Sequence, residues 1–153
     1  MMIERAGAQD AGEILCLQRA AYVTEAQLYG DPFLPPLVES LEQATALYAT
    51  DAVVLKATEA GRVVGAVRAV FNERTCLVGR LIVAPDRQGR GIGTALLKAV
   101  EEEVAELADA LVLFTGHQSA GNLRLYKHLG YQEFRRERIN EHLVHVHLRK
   151  DLE

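Results

Sequence analysis

The sequence predicts an α/β (α+β) protein, a mixed and mostly antiparallel seven-stranded sheet with helices on both faces. Three observations carry that prediction. Two valine-rich runs, Ala52 to Thr58 and Val63 to Phe71, flank the turn signal Glu59-Ala60-Gly61-Arg62, the mark of a hairpin. A glycine-rich loop then joins a further apolar run to a long amphipathic helix, as a strand hands over to a crossover. Two more strand-like runs close the chain after a second helix. Hairpins followed by strand-helix-strand imply mixed pairing, with helices covering the sheet.

In chain order, Ile3 to Ala6 reads as a short first strand and Asp10 as the cap of the helix after it. Ile14, Leu17 and Ala21 recur at helical spacing and mark that helix's apolar face. Pro32, Pro35 and Pro36 exclude a continuous helix, and a second one is expected from Leu37 to Ala49. After the hairpin, Cys76 to Val83 is the fourth strand, ended by Pro85. Its Leu77, Gly79, Leu81 and Val83 alternate with Val78, Arg80 and Ile82. Leu96, Val100, Val104 and Leu107 stripe the helix after the glycine loop, while Glu101, Glu102, Glu103 and Glu106 form its solvated face. Ala110 to Phe114 is a short buried strand, and Ser119 to Leu129 a helix stopped by Gly130. Tyr131 to Arg138 and Leu143 to Leu148 are strands that reverse around Asn140.

At 153 residues, 49% hydrophobic and 25% charged, the chain suits one soluble domain over residues 1–153 with a proper core. A net charge of −4 lacks the basic footprint of a nucleic-acid binder. No apolar run approaches a membrane span, and Met1-Met2-Ile3-Glu4-Arg5 lacks the layout of a signal peptide. A cytoplasmic protein that engages neither nucleic acid nor membrane is expected. Cys16 and Cys76 lie far apart in apolar elements and are read as reduced, packed thiols. His145 and His147 share a strand face while His142 does not, and no carboxylate or cysteine completes a set. They are read as exposed sheet, and no metal is expected.

The chemistry concentrates in Gln88-Gly89-Arg90-Gly91-Ile92-Gly93, between a strand and a helix. A helix N-terminus offers unpaired N–H groups and the positive end of its dipole to an anion. The glycines let a bulky phosphate approach the main chain, and Arg87 and Arg90 add charge. The loop suits a pyrophosphate, although such a turn can also do no more than join a strand to a helix. A Walker loop requires Gly-Lys-Ser/Thr where this chain has Gly93-Thr94-Ala95. A dinucleotide fingerprint requires G-x-G-x-x-G early in a βαβ unit, whereas this G-x-G-x-G follows several antiparallel strands.

The loop matches, at every specified position, the Gln/Arg-x-x-Gly-x-Gly/Ala motif of the GNAT N-acetyltransferases. Leu81-Ile82-Val83-Ala84-Pro85 resembles that family's fourth strand and its exit, and Ala95-Leu96-Leu97 the helix that follows. The stretch from Asn122 through Tyr126 to Gly130-Tyr131 is similar to its second signature. With the element order, the resemblance covers most of the chain and is weakest from Tyr22 to Ala49. It implies the GNAT acyltransferase fold and acetyl-coenzyme A (acetyl-CoA) as donor, with no metal.

The resemblance also implies roles. Main-chain amides of Gln88, Gly89, Arg90, Gly91, Ile92, Gly93 and Thr94 would bind the coenzyme A pyrophosphate. Leu81, Ile82 and Val83 would pair their backbone with the pantetheine arm, so their strand must splay from its neighbour. Asn122 would contact the pantetheine, and Tyr126, on the same helix face, would protonate the leaving thiolate. A neutral amine would attack directly in a ternary complex, with a main-chain N–H of the fourth strand on the oxyanion. Many relatives use a glutamate on the fourth strand as base. Thr75 to Val83 holds no carboxylate, which leaves Glu73, His117 or a water chain. The acceptor cleft falls on Tyr22, Glu25, Tyr29, Phe33 and the prolines, with Arg68 and Arg80 either meeting an acceptor carboxylate or facing solvent. A small-molecule amine is the favoured acceptor. A protein or peptide acceptor and a coenzyme A-binding module without turnover are the alternatives. Pairing of C-terminal strands, frequent in the fold, would give a homodimer.

Overall fold

A computed structural model describes residues 1–152 of the chain. The first half runs β1 (Met2–Arg5), α1 (Ala11–Ala21), α2 (Val23–Tyr29), α3 (Pro35–Val38), α4 (Leu41–Ala46), β2 (Val53–Glu59) and β3 (Arg62–Asn72). There follow β4 (Thr75–Val83), α5 (Ile92–Val104), β5 (Ala110–Gly116), α6 (Ala120–His128), β6 (Gln132–Arg138) and β7 (Val144–Asp151). The strands make one seven-stranded sheet in the order β1-β2-β3-β4-β5-β7-β6. Pairing is antiparallel except between β4 and β5, so the mixed sheet expected from the sequence is the one formed. No helix among the described residues is long and apolar enough to cross a membrane.

Alternation along β3 assigns the two faces. Gly65 looks toward Ile92 and Leu96 of α5 at a distance that leaves no room for a Cβ. Arg68, on the other face, donates to Glu39 at 2.9 Å beside α1. On α5, Ile92, Leu96, Leu97, Val100 and Val104 are buried in a core that includes Leu55, Val67 and Val78. Burying each such side chain contributes about 1.5–3 kcal/mol, which makes α5 the main support for the sheet half that carries the glycine loop. Leu107 lies beyond the end of α5 and is exposed instead of completing its stripe. Cys76 is buried and its thiol is pushed up to about 11 by that burial. Cys16 is exposed rather than packed.

The stretch from Leu37 to Ala49 is not one helix. Pro35 and Pro36 open α3, which ends at Val38, and Ser40 starts α4 afresh. Ser40 Oγ accepts from the Gln43 N–H at 3.0 Å while Gln43 Oε1 accepts from the Ser40 N–H at 2.9 Å. This reciprocal capping box fixes a new helix start. Asp10 does not cap α1 forward. Its carboxylate accepts from the Gly7 N–H at 2.9 Å and pairs with Lys56 of β2 at 2.9 Å, tying the first turn to the sheet.

Strict alternation also fails in β4. The β3–β4 register slips between the pairs Ala66–Ile82 and Arg68–Gly79, and Arg80 adopts a φ of 48°. Such a β-bulge bends its strand and re-aims the side chains beside it. Parallel pairing of β4 with β5 covers only Thr75 to Leu77 against Ala110 to Val112. Both strands continue, to Val83 and Gly116, without bonding to each other. A V-shaped gap opens between them.

Candidate active site

The glycine loop stands at the mouth of this gap. Gly89 and Gly91 have φ of 76° and 83°. That left-handed region costs other residues roughly 1–2 kcal/mol. Gly91 immediately precedes α5, whose first main-chain bond runs from the Ala95 N–H to the Gly91 carbonyl at 3.0 Å. The N–H groups of Ile92, Gly93 and Thr94 therefore have no partner within the helix. Arg87 is held by Glu59 at 3.1 Å and Asp86 at 2.8 Å, and Arg62 clamps Asp86 with bonds of 2.9 and 2.8 Å. The Arg62 guanidinium holds the Asp86 carboxyl well below the usual carboxylate range. This network braces the approach to the loop.

A cavity of about 500 Å³ extends from the loop along the gap. Leu81, Ile82, Val83 and Asn122 line it, as does every loop residue from Gln88 to Thr94 except Arg90. Arg90 is exposed, so the charge on this wall comes from Arg87. A second cavity, of about 170 Å³, lies between the walls of β4 and β5. Tyr22, Glu25, Leu81 and Asn122 border both cavities.

On α6, Asn122 donates from Nδ2 to Thr115 Oγ1 of β5 at 3.2 Å, which orients its amide. Tyr126, one turn further on, is 6% exposed and lines the second cavity. Its ring meets Tyr131 edge-on at 6.1 Å. Burial, reinforced by Tyr22 and Glu25, pushes the Tyr126 phenol well above its ordinary range, so it keeps its proton throughout the neutral region.

Glu25 has a definite place that sequence reasoning left open. The Gln118 N–H donates to the Tyr29 hydroxyl at 3.0 Å, and the Tyr29 and Ser119 hydroxyls are 2.7 Å apart. Ser119 donates in turn to Glu25 Oε2 at 2.7 Å, so Tyr29 donates to Ser119 and the chain of donors ends on the Glu25 carboxylate. Tyr29 reaches this position by crossing Gly116, where any side chain would collide with the phenol. The two bases proposed from chain order lie elsewhere. Glu73 sits in the β3–β4 turn with a φ of 56° and lines neither cavity. Five residues of strand separate Thr75 from Leu81, a span of roughly 20 Å over six steps. His117 Nδ1 accepts from the Val144 N–H at 3.0 Å, and the ring borders a separate surface cleft with Gln27 and His142. That bond joins β7 to the end of β5.

Arg68 and Arg80 do not face open solvent, since their side chains are 19% and 21% exposed. Both approach Glu39. Burial pushes the Glu39 carboxyl up, but hydrogen bonds from Arg68 and Gln18 and the charges of both arginines outweigh it, and the net shift is downward. Near the other sheet edge, Glu137 of β6 pairs across from His145 of β7. Ligand atoms of Glu137, His145 and His147 lie within 4.8 Å of one another, so a carboxylate does stand beside the histidine pair, contrary to the sequence reading. Strand register, not sequence spacing, brings it there. Arg135 Nη2 is 3.3 Å from His147 Nε2, and Phe114 stacks on His145 at 4.3 Å.

Residues 21–152 match the family model for an acetyltransferase (GNAT) domain. By class, then, the chain carries an acetyltransferase-type domain. More particularly, the chain belongs to the GNAT acetyltransferase family. It is 30% identical over 123 residues to UPF0157 protein YqkA of Bacillus subtilis (strain 168), covering 80% of this chain and 35% of that relative. The chain thus spans about a third of the length of the curated relative it matches. Smu.2055 of Streptococcus mutans UA159 has the same fold, with a TM-score of 0.86 at 19% identity over 100% of both chains. So does yncA of Salmonella typhimurium, solved with its cofactor acetyl-CoA, at a TM-score of 0.80 and 22% identity over 100% of this chain and 94% of that one.

Proposed function

We propose that the protein is an acetyl-CoA-dependent N-acetyltransferase that acetylates the primary amine of a small molecule by direct attack in a ternary complex. The observation that carries this reading is the open β4–β5 gap, with the free main-chain N–H groups of a helix start at its mouth and Tyr126 and Glu25 lining the adjoining cavity. Acetyl-CoA supplies the activated acetyl group as a thioester. The free main-chain N–H groups at the start of α5 suit its pyrophosphate. The edge of β4 from Leu81 to Val83, not paired with β5, suits the amides of its arm. A structural neighbour solved with acetyl-CoA supports the same donor.

Glu25, held by Ser119, takes the proton from the incoming ammonium, and Tyr126 gives one to the departing sulfur. The burial that raises the phenol also raises the basicity of a thiolate in the same cavity, so donor and acceptor remain matched. The second cavity, about 170 Å³, is bordered by Leu34, Pro36 and Leu143. That size favours a small amine over a polypeptide.

Thiol release from acetyl-CoA, measured against a panel of small amines and peptides, tests the reading. Tyr126→Phe should lower kcat by about 10²- to 10⁴-fold while calorimetric affinity for coenzyme A stays near wild type. Binding of coenzyme A without thiol release by any amine would remove the enzyme reading. Release with peptides alone would remove the small-molecule acceptor.

A further inference from the structure

The second cavity has in its wall an arginine that lacks a full partner. Arg80 borders this cavity and also the cleft beneath α1 where Glu39 sits. Glu39 is already engaged, accepting from Arg68 at 3.3 and 2.9 Å and from Gln18 at 2.9 Å. Arg80 comes only to 3.9 Å from Glu39 Oε1, and its buried Nε has no hydrogen-bond partner. Two guanidinium groups thus share one carboxylate in a region largely withdrawn from water. Leaving a buried cation without a full partner is unfavourable, and an anionic ligand would relieve it. The backbone adds an independent sign. Arg80 holds a φ of 48° at the β4 bulge, a strained conformation for a residue with a side chain, and strain of this kind collects where a side chain is aimed at a ligand.

We propose that Arg80 binds an anionic group on the acceptor, so that the preferred acceptors are amines that also carry a carboxylate, amino acids and compounds of that type. The inference rests on the N-acetyltransferase reading and names its acceptor class. Glu25 borders the same cavity, and the half-buried Tyr22 phenol lies within the fields of both Arg80 and Glu25. One cavity therefore presents a cation, from β4, and an anion, from α2, to one small ligand. That pattern matches a zwitterion, with the ammonium toward Glu25 and the carboxylate toward Arg80. A guanidinium suits this role because its fork of donors can grip both carboxylate oxygens.

The experiment uses matched acceptors: amino acids with α, β and γ amines, their carboxamides, and the amines lacking the carboxyl group. Each is measured for calorimetric binding to the coenzyme A-loaded protein and for acetyl-CoA-dependent thiol release. The best carboxylate should exceed its carboxamide by about 10- to 100-fold in affinity and in kcat/KM, as expected for one charge-assisted contact. Arg80→Gln should collapse that ratio toward one and Arg80→Lys should retain part of it, with melting temperature and coenzyme A affinity showing that fold and loop persist. Equal use of carboxylate and carboxamide, an unchanged ratio in Arg80→Gln, or no binding of any carboxylate at millimolar concentration would overturn the proposal. Should Arg80→Gln not fold, the wild-type ratio decides alone. Failure of the underlying enzyme reading looks different: carboxylates bind in an Arg80-dependent way, yet no thiol is released.

Discussion

Glu25 and Tyr126 stand on α2 and α6, far apart in the chain, and border one cavity that both would use for proton transfer. Their supports differ. Tyr126 is set by its own helix and by Tyr131, whereas Glu25 depends on Ser119, 94 residues away. Glu25→Gln preserves shape, and its amide oxygen can still accept from Ser119, so the fold should persist. Without the carboxylate the amine must shed its proton unaided, and kcat/KM should fall about 10²- to 10⁴-fold at neutral pH. The variant should regain activity as pH rises toward the amine's own pKa of about 10, while wild type levels off earlier. Parallel pH profiles for the two proteins would show that Glu25 is not the base. Tyr126 is legible in the sequence through the resemblance of the stretch from Asn122 to Tyr131 to the family's second signature, and helical periodicity adds that Asn122 and Tyr126 share one face. The resemblance puts Glu25 in the acceptor cleft, but its anchoring by Ser119 is not legible, because it follows from packing of α2 against the start of α6, which no local spacing encodes.

At the scale of elements, the glycine loop separates what the fold needs from what the ligand needs. Gly91 lies in the left-handed region, so Gly91→Ala should destabilise the fold by about 1 kcal/mol in urea melts. Gly93 does not, and a Cβ there would stand 3.7 Å from Leu125 and 3.8 Å from Val83, an ordinary packing distance. Gly93→Ala should therefore leave stability unchanged or raise it by about 0.5–1 kcal/mol, as removing a helical glycine does. Leu125 and Val83 both line the larger cavity, so the added methyl should still weaken coenzyme A binding measured by calorimetry. Unaltered affinity in Gly93→Ala would mean that the pyrophosphate does not rest on this turn. Order and type of the strands were readable because alternation, turn residues and the loop motif are all short-range signals. The break at Ser40 was also readable, in its Ser-x-x-Gln spacing, but the helix-forming residues from Leu37 to Ala49 read as one continuous helix. The bulge at Arg80 was not, since period-two reading assumes the regular pleat that the bulge interrupts.

Across the whole molecule, charged side chains tie helices to the sheet at several points, and two of these carry lowered carboxyl pKa values. Asp10 holds the turn before α1 to Lys56 of β2, and Glu39, after α3, gathers Arg68 of β3 and Arg80 of β4. The pKa of each carboxyl is lowered on folding, in both cases because hydrogen bonds and nearby cations outweigh the effect of burial. A depressed carboxyl stabilises the fold above its unfolded pKa, about 4, and that contribution is lost as pH falls through the folded value. His145 and His147 act in the same direction from a higher pH. Burial, together with the neighbouring charge of His147 on one and Arg135 on the other, lowers their pKa values below 6.5. The unfolded chain therefore takes up protons first as pH falls past 6.5, which favours unfolding. Urea melts should show a shallow decline in stability from about pH 6.5 and a steeper one below about pH 4.5. Glu39→Gln should cost about 2–4 kcal/mol at pH 7, since it leaves two half-buried guanidinium groups without their carboxylate. The same variant should flatten the acid limb, because the group that releases stability there is gone. A Glu39→Gln protein that is destabilised at pH 7 but keeps the wild-type acid slope would place the acid sensitivity elsewhere, with Asp10→Asn the next variant to measure. A flattened slope would identify the Glu39 junction as the point where acid separates α3 from the strands that carry Arg68 and Arg80, and with them the wall of the acceptor cavity.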